Sequence, residues 1–150
     1  MAAYYASILY GALLTVGVSL AALLVSVLLG LLGAGAKLSG SRLLVALATG
    51  YTTIIRGIPE LVLMLLVFYG GSIGINHLLE LSGTGATLDI NPFAAGVLPL
   101  GFIYGAYMTE TFRGAIMSVP KGQSEAGWAY GMSRFYTFRR MVLPQMVRFA

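Results

Sequence analysis

None of the first 36 residues carries a charged side chain; Lys37 is the first that does. Within that run, Ile8 to Leu32 is built almost wholly from aliphatic residues, glycine and small hydroxyls. About 20 apolar residues cross a bilayer core as a helix. The run is therefore read as a first membrane span, ending at Gly33-Ala34-Gly35. It is too long for the apolar region of a secretory signal, and MAAYYAS lacks the basic start of one, so the span is read as retained. Only 9% of the 150 residues are charged, against about 25% in soluble domains. The expected fold class is an all-α integral membrane protein, one transmembrane helical domain over residues 1–150.

Two further segments have spanning length, about 59–79 and 92–111. Between the first and second spans lies LLVALATGYTTII, residues 43–55. As a helix it rises only about 20 Å, so it is expected to be a short interfacial or buried helix. The link at 36–56 holds Lys37, Arg42 and Arg56, and everything after residue 111 is rich in arginine. The link from Gly70 to Asn91 holds only Glu80 and Asp89 as charges. By the positive-inside rule the two basic links are cytoplasmic and the N-terminus is outside. The net charge of +4 thus follows membrane side and does not point to nucleic acid. Cysteine is absent, which excludes thiolate metal sites and cysteine nucleophiles. His77 has no second histidine to complete a metal set. Gly101/Gly105 and Gly70/Gly74 each stand four apart, a spacing that lets membrane helices approach closely or is simply tolerated in lipid.

The most polar stretch is SEAGWAYGMSRFYTFRRMVLPQ, residues 124–145. Pro120 and Gly122 are expected to break the third helix. Ser124 can cap a short helix from Glu125 to Tyr130, with Glu125 at the positive dipole end and Gly131 as its terminator. Ser133 can cap a second, basic helix that Pro144 interrupts or kinks. The segment at 118–145 reads as a cytoplasmic knob. A solvated helix held at the membrane surface by Arg139, Arg140 and Arg148 is the alternative.

The spacing of Glu125-Ala126, Gly131 and Leu143-Pro144 resembles the EAA motif, E-A-A-x3-G-x9-I-x-L-P, of bacterial ABC importer permeases. Gly127 and Met141 depart from it, standing where alanine and isoleucine are usual. Gly127 loosens the short helix by up to about 1 kcal/mol relative to alanine. YTTIIRGIPELVLMLLVFYG at 51–70 and GFIYGAYMTETFRGAIMSVPKGQSEA at 101–126 resemble the polar amino-acid branch, and within it the Q-type subunits of histidine/lysine-arginine-ornithine importers. Such subunits have about five spans and well over 200 residues, so the resemblance implies that two spans are missing here. It implies a type I importer bundle whose EAA loop couples to an ATPase through Glu125, Ala126, Gly127, Gly131, Leu143 and Pro144. It also implies two ATPase subunits that bind ATP and magnesium, a similar partner permease, a periplasmic amino-acid-binding protein and a bacterial inner membrane location.

Glu60 and Glu110 are the acids nearest the hydrocarbon, where ionisable groups usually face a partner or a cavity. Either could hold the cationic end of a basic amino acid. Equally, Glu60 suits the first turn of its helix or could pair with Arg56, and Glu110 could pair with Arg113 on one face. Many relatives are apolar at the position of Glu60, whereas the basic-amino-acid branch resembles this chain. Tyr104 and Tyr107 share a face with Thr111 and could stack on a substrate cation or pack between helices. No phosphate-binding GxxxxGK[ST] loop occurs, so the chain is expected to be no enzyme and to carry no cofactor. The competing class is an ion- or proton-coupled secondary transporter, which has no use for the EAA spacing.

Overall fold

The computed structural model describes residues 2–81 and 91–150; Asp89 lies outside them. Every regular element there is helical: α1 Ala2–Leu38, α2 Arg42–Gly57, α3 Glu60–Leu65, α4 Gly71–Leu81, α5 Pro92–Met117, α6 Lys121–Ala129, α7 Arg134–Thr137 and α8 Leu143–Phe149. Two π turns, Leu66–Gly70 and Phe138–Val142, join α3 to α4 and α7 to α8.

α1 has 37 residues, a rise of about 55 Å, and so overshoots a bilayer core of about 30 Å. The expected stop at Gly33-Ala34-Gly35 is absent. In apolar surroundings the backbone has no partner other than itself, and Gly33 is needed for contact instead: a Cβ there would strike the Thr109 side chain. Among the described residues, α1 alone is long and apolar enough to cross unaided. α2 and the rod that begins with α3 diverge by 112°, because Ile58 and Pro59 are extended, at ψ 141° and 132°. α5 starts on a cap, the Asn91 side chain accepting from the Phe93 amide at 2.9 Å. It continues past Pro99 to Met117, beyond the expected end at residue 111.

Contacts between α1 and α5 climb together in sequence. Gly17 faces Phe93, Gly101 faces Val25, Gly105 faces Leu29 and Gly30 faces Met108. The two helices therefore run parallel, which requires the chain to return between them. Of the two glycine pairs, Gly101/Gly105 is a packing surface: a Cβ on Gly101 would lie 2.5 Å from Val25 Cγ1. Gly74 has nothing described within 4 Å. Gly101→Leu should lower permease stability by about 1–3 kcal/mol through overpacking, and Gly74→Leu should change it little, as read by thermal unfolding in detergent.

α2 buries Ala48, Thr52 and Ile55, one face at helical spacing. Ile55 joins Leu63, Ile103 and Ala106 in one cluster, so α2, α3 and α5 share a core. A second cluster of Ala115, Val119, Val142 and Met146 packs α8 and the second π turn onto the end of α5.

Candidate functional site

The polar segment folds as a hairpin of helices on the foot of α5. Its first helix begins at Lys121, one turn earlier than expected, with Pro120 at the N-cap position. Pro120 is extended, at ψ 132°, and its carbonyl accepts from the Gln123 amide at 3.0 Å. Ser124 is therefore inside the helix and caps nothing, and Glu125 sits beyond its first turn; the third span does end ahead of Pro120 and Gly122, at Met117, as expected. The far end matches expectation. Gly131 has φ 78°, its amide donates to the Trp128 carbonyl at 2.9 Å, and the Met132 amide donates to the Gly127 carbonyl at 3.0 Å. This pair of bonds is a Schellman closure.

Ser133 then caps α7, accepting from the Tyr136 amide at 3.3 Å. The α-helix is interrupted just ahead of Pro144, as expected, and resumes at Leu143. The preceding π turn re-routes the backbone, the Leu143 amide donating to the Phe138 carbonyl five residues back. The Gln145 side chain donates to the Met141 carbonyl at 2.9 Å. Leu143 packs on the α5 foot, while Pro144 is exposed.

The two halves of the segment meet at Gly127. It is buried, and a Cβ there would lie 2.8 Å from Met141 Sδ and 2.9 Å from Thr137 Cγ2. The two positions that depart from the EAA pattern thus touch, and a thioether, which adapts to irregular gaps, fills the space a methyl group would occupy. Packing, which helix propensity does not register, holds α6 here. Gly127→Ala should cost about 1 kcal/mol, overpacking outweighing the gain in helix propensity. Met141→Ala should remove that cost, so a double-mutant cycle on thermal unfolding should be non-additive by about 0.5 kcal/mol or more. Beside this contact, Glu125 and Trp128 flank a 630 Å³ groove floored by Val119, Thr137 and Val142. Glu125 and Ala126 are exposed, as are Trp128 and Tyr130.

The acids fall in two places. Glu110 is engaged twice: Lys37 Nζ binds its Oε1, and Arg113 Nε donates to its Oε2 at 3.0 Å. Lys37 also donates to Thr52 Oγ1 at 2.7 Å, tying α1, α2 and α5 together. The Lys37 and Glu110 side chains are only 10% and 19% exposed. Tyr107 shares a 490 Å³ cleft with Glu110, Lys37, Thr52, Thr53 and Arg56. The Arg56 guanidinium lies 5.5 Å from the Tyr107 ring centroid, so the ring stacks on a protein cation. Glu60 is exposed in the first turn of α3, on the side of the Tyr104 hydroxyl. Among the described residues it forms no ion pair with Arg56, since the break at Ile58-Pro59 removes the helical register between them. His77 Nδ1 stands 3.8 Å from Glu80 at an exposed position.

Lys37, 73 residues from Glu110, was not anticipated as its partner. The one hint was its solitude after a long uncharged run.

The model of a family described as the binding-protein-dependent transport system inner membrane component matches residues 26–150. The chain belongs to this permease family. Its matched part runs from the middle of α1 through the whole knob. Among curated permeases of the family's kind, the histidine/lysine/arginine/ornithine transport system permease protein HisQ of Escherichia coli (strain K12) is 53% identical over 95% of this chain. The octopine transport system permease protein OccQ of Agrobacterium tumefaciens (strain Ach5) is 42% identical over 91%. The arginine ABC transporter permease protein ArtQ of Haemophilus influenzae is 39% identical over 93%. The chain spans 62%, 58% and 60% of these three permeases respectively. A crystal structure of an amino acid ABC transporter with histidines matches 97% of this chain and 65% of its own, at TM-score 0.66 and 30% identity. The all-helical permease fold expected from the sequence is the one observed among the described residues and matched by this transporter.

Proposed function

We propose that this chain is a multi-pass, membrane-crossing permease subunit of an ATP-driven, binding-protein-dependent importer of polar, chiefly basic, amino acids. It acts in a bacterial inner membrane with its N-terminus outside, a reading supported by the basic residues Lys37, Arg113 and Lys121 at the C-terminal ends of the parallel α1 and α5. Two ATPase subunits bind ATP and magnesium, a similar permease completes the path, and an external binding protein delivers substrate. The observation that carries the proposal is the EAA-spaced segment folded as a knob on the foot of α5.

In this reading the exposed Glu125 and Ala126 and the turn at Gly131 meet the ATPase. Gly127, Leu143 and Pro144 keep the knob in shape. Motion of the knob passes into α5 through Ala115 and Val119. Ala115 lies about 7 Å of helix rise beyond Glu110, so the same rod reaches the polar cleft. Glu60, with the Tyr104 ring near it, receives the cationic end of the substrate. Glu110 and Tyr107 shape the adjoining wall, the charge of Glu110 being engaged by Lys37 and Arg113.

The test is uptake of arginine and histidine by the assembled transporter in proteoliposomes. Uptake should require ATP and survive collapse of the proton gradient; the reverse pattern supports a secondary transporter. Glu60→Leu should cut uptake of both about tenfold or more, the scale of a lost charged hydrogen bond, with assembly intact. Unchanged uptake removes Glu60 from the path.

A further inference from the structure

Arg56 and Glu60 stand on opposite sides of one helix break. Arg56 ends α2 and Glu60 opens α3, with Gly57-Ile58-Pro59 between them. Irregular backbone at membrane depth is tolerated where it lines a cavity, and the 490 Å³ cleft opens here. The charge balance of that cleft is cationic. Lys37 and Arg56 line it with Glu110, and Glu110 is already engaged by Lys37 and by Arg113. Arg56 is exposed and makes no ion pair among the described residues. Its guanidinium is nonetheless pre-set by the Tyr107 ring, with the exposed Thr53 lining the same cleft. A held guanidinium offers two parallel N–H donors that match a planar carboxylate, and holding it beforehand lowers the ordering cost of binding.

We propose that this cleft takes the α-carboxylate of the transported amino acid, with Arg56 as the group that recognises it. The inference rests on the amino-acid import reading and deepens it. A zwitterion with a cationic side chain would present its carboxylate to Arg56 and its cationic end to Glu60. The break between α2 and α3 thus offers opposite charges to opposite ends of one molecule. The carboxylate is common to all amino acids, so Arg56 governs recognition of the class, whereas Glu60 selects within it.

The experiment measures binding of arginine and histidine, and of their decarboxylated forms agmatine and histamine, to the assembled membrane complex in nanodiscs without the binding protein. The intact complex should favour each amino acid over its decarboxylated form by about tenfold or more, the scale of a charge-assisted hydrogen bond. Arg56→Gln should bring that ratio close to one, and Arg56→Lys, which keeps charge without the fork, should leave an intermediate ratio. A structural role alone would weaken all four ligands together and leave the ratio unchanged, which overturns the proposal. So does a ratio that stays fixed while Arg56→Gln alters the response to phosphatidylglycerol content, since the cleft then holds a lipid phosphate. A complex that transports amino acids yet shows no preference for them over decarboxylated forms overturns the carboxylate site alone. A complex that neither binds nor transports them overturns the import reading as well.

Discussion

Gly131→Val is expected to cut ATP-driven uptake by about tenfold or more, with the protein still reaching the membrane. Gly131 has φ 78°, and a Cβ there would have nothing described within 4 Å. The penalty therefore lies in the backbone alone. A left-handed residue with a side chain costs about 1–2 kcal/mol, and β-branched residues fare worse. That conformation closes the two amide bonds to Trp128 and Gly127 and sets the angle between α6 and α7. Relaxing it would lift Gly127 off Thr137 and Met141 and blunt the knob. Gly131→Asn should keep most uptake, because asparagine tolerates the left-handed region. Wild-type uptake and normal ATPase capture with valine would contradict a coupling role for this turn.

Glu110→Ala is expected to be the most destabilising single change at the α1–α2–α5 junction, by about 3–5 kcal/mol. It would leave Lys37, 10% exposed, without its carboxylate. Lys37→Met should cost less, since Glu110 keeps the Arg113 bond at 3.0 Å. Replacing both, as Lys37→Met with Glu110→Leu, should recover most of the loss, since an apolar pair of similar volume often substitutes for a buried ion pair. Thermal unfolding of the assembled complex reads all three. Equal losses from both single changes, with no recovery in the double variant, would contradict the lock. If the recovered double variant also transports normally, Glu110 plays no direct part in holding substrate.

What the sequence made legible was governed by local rules. Gly131 and Ser133 were found because a left-handed turn and an N-cap each have a short-range signature. The start of α6 was misplaced because two rules competed: Ser124 is a good cap, but the extended Pro120 before Lys121 begins the helix a turn sooner. The reach of α1 past Gly33 was missed because glycine reads as a stop in water, while here it is the point where Thr109 approaches. The Lys37–Glu110 pair is a tertiary fact between groups 73 residues apart, and no spacing rule reaches that far. The contact of Gly127 with Met141 is of the same kind. Each was visible as a departure from the EAA pattern, yet their compensation appears only when α6 lies across the second π turn.

On the proposed function, the knob of residues 118–145 is seated in a separate ATPase and is moved by it. Single cysteines placed along α6 and at Tyr130, on a chain that contains none, can be crosslinked to the ATPase subunit in the assembled transporter. Capture is expected at exposed positions such as Ala126 and Tyr130, with a yield that changes when ATP is added. No capture at any position, while ATP-driven import proceeds, would contradict it.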